Sequence, residues 1–172
     1  HTFPYNDLPK LEALLQQNPD IGVIFMEPQR SAPPLAGFLE GVRELATRHR
    51  AVLIFDECTS GFRRPLGGLH LDLRVEPDIA TFGKTLGNGY AITAVIGRGE
   101  GMQAAQQTFI SSTFWTERIG PTAALAAIAE METSGAPDHI HQIGESVQST
   151  WLELAASTGL TMTVGGLPAL AS

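Results

Sequence analysis

Residues 22–26 and 51–55 form two short, unbroken apolar runs, each ending in acid at Glu27 and Asp56-Glu57, with a helical repeat between them. A run without polar alternation is the pattern of a strand covered on both faces. Between the two, Phe38, Leu39, Val42, Leu45 and Ala46 recur at the spacing of one helix face, up to about Arg48. Strand, helix, strand implies parallel pairing through a right-handed crossover. That order commits the chain to an α/β fold, and with 172 residues, 43% of them hydrophobic, it has material for one real core.

The remaining elements fit the same plan. Asn6 or Asp7 can cap a first helix carrying Leu8, Leu11, Leu14 and Leu15 on one side, stopping near Asn18-Pro19. Residues 79–82 read as a short strand and 91–96 as another, closed by Gly97, and their close spacing also permits an antiparallel pair. Gly120-Pro121 opens an Ala-rich helix to about Glu132, and a second helix is expected from about Asp138 to Ala156. Both ends read as cut: the chain opens on His1 and stops in a Gly165-Gly166-Leu167-Pro168 turn. Residues 1–163 are therefore expected to belong to one large domain and 164–172 to begin a second, small one.

A net charge of −7, with 11 basic residues scattered along the chain, argues against a nucleic-acid partner and for a small molecule. The lone Cys58 leaves no internal disulfide, and neither a signal-peptide pattern nor an apolar run of about 18 residues is present, so neither a membrane nor secretion is expected and the cytoplasm is the default.

In open α/β sheets, ligands gather at the carboxyl ends of the strands. Glu27-Pro28, Asp56-Glu57 and Gly83-Lys84 each follow such a strand, so three polar groups are expected to share one crevice. A fixed carboxylate and a lysine are the two groups that a pyridoxal-type cofactor needs. The first favours the protonated ring nitrogen, and the second meets the aldehyde. Asp56 and Lys84 are the candidates. Alone, an acidic pair at a strand end suits a turn and a loop lysine suits solvent. The same letters also suggest the acidic strand and Gly-Lys-Thr end of a P-loop nucleotidase. That loop, however, needs a glycine five positions before Gly83, where Asp78 stands, and normally precedes its acidic strand.

Residues 52–63 (VLIFDECTSGFR), 76–78 (EPD) and 81–89 (TFGKTLGNG) together resemble the class III aminotransferases, most closely the glutamate-1-semialdehyde 2,1-aminomutase branch. Residues 24–28 and 37–45 add matching segments, so the resemblance runs from about Tyr5 to about Glu132. It implies part of the large domain of the pyridoxal phosphate-dependent transferase fold, a mostly parallel sheet with packing helices, and pyridoxal 5'-phosphate as cofactor. Asp56 would pair with the ring nitrogen and Lys84 would carry the cofactor. Cys58 stands where the family usually has a valine under the ring, and Glu27 would lie close to the site. A threonine before the Ala-rich helix, Thr116 by ungapped alignment or Thr113 with a small insertion, would reach the partner's cofactor phosphate in a homodimer.

The resemblance further implies an amine or amino acid substrate with an oxo-acid or aldehyde as its counterpart. Asn88, residues 90–92 and residues 114–118 depart from the mutase pattern, so ordinary transamination is as well supported as the mutase reaction. The family's phosphate-binding turn and ring-stacking aromatic are expected upstream of His1, and its small domain beyond Ser172, which would leave the isolated chain inactive. The competing expectation is a non-catalytic remnant that keeps the fold for association.

Overall fold

The computed structural model describes residues 1–110 and 113–172. Helix α1 (Leu8–Gln17) starts where the Asp7 carboxylate accepts the Lys10 N–H at 3.0 Å, and Leu11 and Leu15 are its buried face. It ends at Asn18, whose backbone and side-chain amides both donate to the Leu14 carbonyl. Strand β1 (Val23–Met26) leads to α2 (Phe38–Arg48) and back into β2 (Val52–Asp56), parallel to β1 with Val23 opposite Val52 and Met26 opposite Phe55.

Strand β3 (Ile79–Phe82) adds parallel to β2 after the short helix α3 (His70–Leu73). Strand β4 (Ala94–Gly97) turns back antiparallel to β3, giving a sheet in the order β1-β2-β3-β4. The antiparallel option for the last pair is the one realised, and β4 starts at Ala94, three residues later than its apolar run suggested. Helices α4 (Gly99–Gln103), α5 (Ile119–Ser134) and α6 (Ala136–Thr158) complete the described residues.

Core formation is one-sided. Phe38, Leu39, Val42, Leu45 and Ala46 of α2 and Leu11 and Leu15 of α1 close over Ile24, Met26, Leu53 and Phe55. Leu53 and Phe55 are fully buried, each worth about 1.5–3 kcal/mol of transfer free energy. Gly41 lets α1 lie close on α2, since a Cβ there would stand 2.3 Å from a Leu8 methyl. Ala124 of α5 packs with Ala80, Phe82 and Leu86 on the same face of the sheet.

The opposite face carries Val23 and Phe25 at 51% and 57% exposure. The expectation that β1 and β2 are covered on both faces is therefore corrected for the described residues: their burial alternates, because α1, α2 and α5 all pack on one side.

Residues 164–172, expected to open a second domain, fold back as a closed turn. Gly165 and Ser172 exchange backbone hydrogen bonds, the Gly166 N–H donates to the Ser31 carbonyl, and Gln148 of α6 donates to the Gly165 carbonyl. A 3₁₀ turn at Pro168–Leu170 lies within the segment that the sequence marks as a turn.

Candidate active site

Alternation along β2 decides which acid faces the open side of the sheet. Leu53 and Phe55 point into the core, so Asp56 shares the other face with Ile54, directly opposite Thr81 of β3. Its Oδ1 accepts two hydrogen bonds, from the Cys58 N–H at 3.0 Å and from the Thr81 hydroxyl at 3.2 Å. Among the described residues no donor reaches Oδ2.

Two residues beyond Phe82, the chain enters a 3₁₀ turn, Lys84–Leu86, with Lys84 at φ +40°, a left-handed conformation that costs an L-residue energy. The Lys84 amine donates to the Thr59 hydroxyl at 2.8 Å. Thr59 belongs to the loop that leaves β2, so the ends of two adjacent strands bring lysine and aspartate into one polar cluster. The turn then doubles back at Gly87, where a Cβ would lie 2.2 Å from the Tyr90 carbonyl oxygen. Lys84 opens onto a cavity of about 700 Å³ lined also by Tyr90, Phe114, Trp115 and Glu117.

Cys58 sits between these groups, its thiol 3.8 Å from the Thr81 hydroxyl. Burial pushes the thiol's pKa up and the Asp56 carboxylate adds to that, while the Thr81 hydrogen bond and the Lys84 charge work in the opposite direction. The result is a protonated thiol in contact with the Thr81 hydroxyl.

Glu57, the next residue, is turned away from this crevice. Its carboxylate is fully buried and accepts from the Ser60 hydroxyl at 2.5 Å, the His70 N–H at 2.9 Å and the His70 ring Nδ1 at 2.9 Å. Burial alone would raise its pKa, but the donors of His70, Ser60 and Leu69 outweigh it and hold the carboxyl below the ordinary glutamate range. Of the two acids at the end of β2, Asp56 lies on the open face and Glu57 clamps the loop behind it.

Glu27 is already engaged. Its Oε1 pairs with Arg30 at 2.9 Å, and Oε2 is buried without a donor among the described residues. Glu27 and Arg30 line one pocket together with Phe25, a residue of the open face of the sheet. Thr113 and Thr116 are both exposed. Neither forms a side-chain hydrogen bond to Asp56 or Lys84; the preceding Ser111 and Ser112 lie outside the described residues. Sequence reasoning missed Thr59, Thr81 and Arg30. Only the register that sets Thr81 beside Asp56 could have singled it out.

A family model described as Aminotransferase class-III matches residues 6–171. The chain belongs to the class III aminotransferases. Among its curated relatives, this class III chain is 38% identical to the 3-aminobutyryl-CoA aminotransferase of Cloacimonas acidaminovorans (strain Evry), over 98% of this chain and 42% of the relative. It is 36% identical to the glutamate-1-semialdehyde 2,1-aminomutase of Methanothrix thermoacetophila, over 97% of this chain and 40% of the relative. A solved transaminase with PLP bound superimposes with a TM-score of 0.88 at 25% identity, over 96% of this chain and 41% of the other. The class III chain thus spans about two fifths of the length of the curated relatives it matches. The family and the α/β fold expected from its motifs are both shown.

Among the described residues no helix is long and apolar enough to cross a membrane.

Proposed function

We propose that the intact protein transfers an amino group with pyridoxal 5'-phosphate, Lys84 carrying the cofactor and Asp56 holding its ring nitrogen. The observation that carries this reading is the joined geometry of the two strand ends. Asp56 takes both of its hydrogen bonds on Oδ1 and keeps Oδ2 for a cationic N–H, while the Lys84 amine is tethered to a neutral hydroxyl and opens onto a cavity. That donor set fits the cofactor. It holds an acceptor for a protonated pyridine nitrogen and an amine for an aldehyde.

When bound, the cofactor supplies an aldehyde that condenses with amines and a cationic ring that withdraws electrons from the carbon bearing them. Asp56 keeps that ring charged, because a carboxylate beside the nitrogen favours its protonated form. Lys84 serves first as the attachment point and then as a base. When not holding the cofactor, the Lys84 amine would be placed to take a proton from the substrate carbon and return it elsewhere. Thr59 holds the amine within reach of the site while it waits. Cys58 remains a neutral neighbour.

The substrate class supported is an amine or amino acid, with an oxo-acid or aldehyde as its counterpart. The aminotransferase and the aminomutase among the relatives both move an amino group, and because residues 114–118 and 90–92 depart from the mutase pattern, transfer between molecules is as well supported as the mutase reaction. A homodimer is the assembly proposed, with Thr116 or Thr113 offered to the partner's cofactor. Retention of both Lys84 and Asp56 in one cluster favours catalysis over a scaffold kept for association alone.

The test is Lys84→Ala in the intact protein. Wild type should gain a visible absorbance band on titration with pyridoxal phosphate, and borohydride reduction should fix the cofactor to the peptide containing Lys84. The variant should show neither and should not turn over. A visible band that survives the substitution and maps to another lysine would overturn the assignment.

A further inference from the structure

We propose that Thr81 is a positioning residue for Asp56: its hydroxyl locks one carboxylate oxygen so that the other faces the cofactor's ring nitrogen. The inference rests on the role proposed above for Asp56 and adds to it the device that sets that carboxylate's orientation.

Thr81 and Asp56 are register partners on adjacent parallel strands, so their side chains leave the sheet side by side on the open face. A threonine hydroxyl has one proton to give and can accept others. Here the Cys58 thiol, 3.8 Å away, occupies an acceptor position of Thr81 Oγ1, and the hydroxyl proton goes to Asp56 Oδ1 at 3.2 Å. The chain therefore has a direction, from S–H to O–H to carboxylate. It would lose that direction if the thiol ionised, and burial keeps the thiol protonated.

The second donor to Oδ1, the Cys58 N–H at 3.0 Å, comes from the backbone of the loop. With both donors present, rotation of the carboxylate about its Cβ–Cγ bond breaks two hydrogen bonds. With Thr81 silenced only one resists, and it is carried by a loop residue. A β-branched side chain at 81 has few rotamers, so the hydroxyl is held in place at little further cost in entropy. Valine keeps that shape and deletes the donor.

The experiment compares Thr81→Val, Thr81→Ala and Thr81→Ser in the intact protein loaded with pyridoxal phosphate, with Asp56→Asn as the reference. The readouts are kcat and KM separately, cofactor Kd, the visible circular dichroism of the bound cofactor, and the thermal midpoint of the cofactor-free protein. Thr81→Val should lower kcat by roughly 10- to 100-fold, the range spanned by a hydrogen bond to a charged group. Its KM should stay within about threefold, since orientation of the ring partner acts on chemistry more than on substrate binding. The circular dichroism band should shrink as the ring loses its fixed orientation, while the cofactor-free midpoint stays put.

Thr81→Ser should restore kcat and the dichroism, and Thr81→Val added to Asp56→Asn should cause no further loss, as expected of two residues acting as one unit. Should the valine variant fold poorly, the serine and alanine pair decides, because one keeps the hydroxyl and the other deletes it. Serine and alanine variants of equal kcat, or a Thr81→Val enzyme with wild-type kcat and dichroism while Asp56→Asn is crippled, would overturn the inference. If Asp56→Asn itself leaves spectrum and turnover unchanged, the underlying assignment of Asp56 fails instead.

Discussion

The two faces of the four-stranded sheet are built from the same strands and do different work. On the closed face, Leu53, Phe55, Ala80 and Phe82 meet the helices and are at most 5% exposed. On the open face, Asp56 and Thr81 replace apolar residues at the carboxyl ends of β2 and β3 and are wired to Cys58. A single residue step along β2, from Phe55 to Asp56, crosses from one face to the other, and a further step to Glu57 crosses back. Two adjacent carboxylates are thereby separated, Asp56 on the open face, where it is proposed to meet the cofactor, and Glu57 sealed behind the loop. The comparison teaches that in this chain strand parity, more than proximity in sequence, sorts chemistry from stability.

Substitutions on neighbouring residues can break that division. Asp56→Asn in the intact protein is expected to cut turnover by roughly 10⁴-fold, about 5.5 kcal/mol of barrier, with the unfolding midpoint of the cofactor-free protein nearly unchanged. A rate loss of only about tenfold would make Asp56 a structural cap and dissolve the contrast between the faces.

Phe55→Ala, one residue earlier, should do the reverse. Loss of a fully buried ring is expected to cost about 4 kcal/mol in denaturant unfolding. Fully cofactor-loaded, still-folded variant should keep kcat close to wild type. A cost below about 1 kcal/mol would mean that the closed face is looser than its burial indicates.

Glu57→Gln sharpens the contrast between the two acids. It is expected to destabilise by about 2 kcal/mol at neutral pH, through the weakened hydrogen bonds to Ser60 and His70. Because the folded-state pKa of Glu57 lies below its unfolded value, its stabilisation is complete above the unfolded value of about 4.3 and is lost as pH falls toward the folded one. Denaturant titrations between neutral pH and pH 3 should therefore show wild type losing its advantage over the variant as the medium becomes acidic. An advantage that grows in acid would contradict the sign of the shift.

The helices and the order of the strands were legible because local signals agreed there. Leu11 and Leu15 repeat on one side of α1, the Asp7 cap was among the two proposed, and the α2 pattern named each of the five residues that the helix buries. Lys84 and Asp56 were legible as residue types at strand ends. What was not legible depends on tertiary context. An apolar run looks the same whether helices cover one face or both, so Val23 and Phe25 were expected to be covered. Glu57 and Asp56 look alike until the pleat separates them. Thr81 and Thr59 are ordinary loop-and-strand threonines until register and turn geometry set them beside a carboxylate and an amine. The roles expected of Thr113 and Thr116 involve a partner chain, and among the described residues neither hydroxyl bonds to Asp56 or Lys84.

The left-handed backbone at Lys84 carries a consequence for how such a chain can change over time. At φ +40° a glycine would be at ease, whereas a side-chain-bearing residue gives up about 1–2 kcal/mol to stand there. The position is therefore one where the residue most useful to chemistry and the residue most comfortable for the backbone are different. On the role proposed for Lys84, a lineage released from the need for the amine would have a downhill route toward glycine at 84.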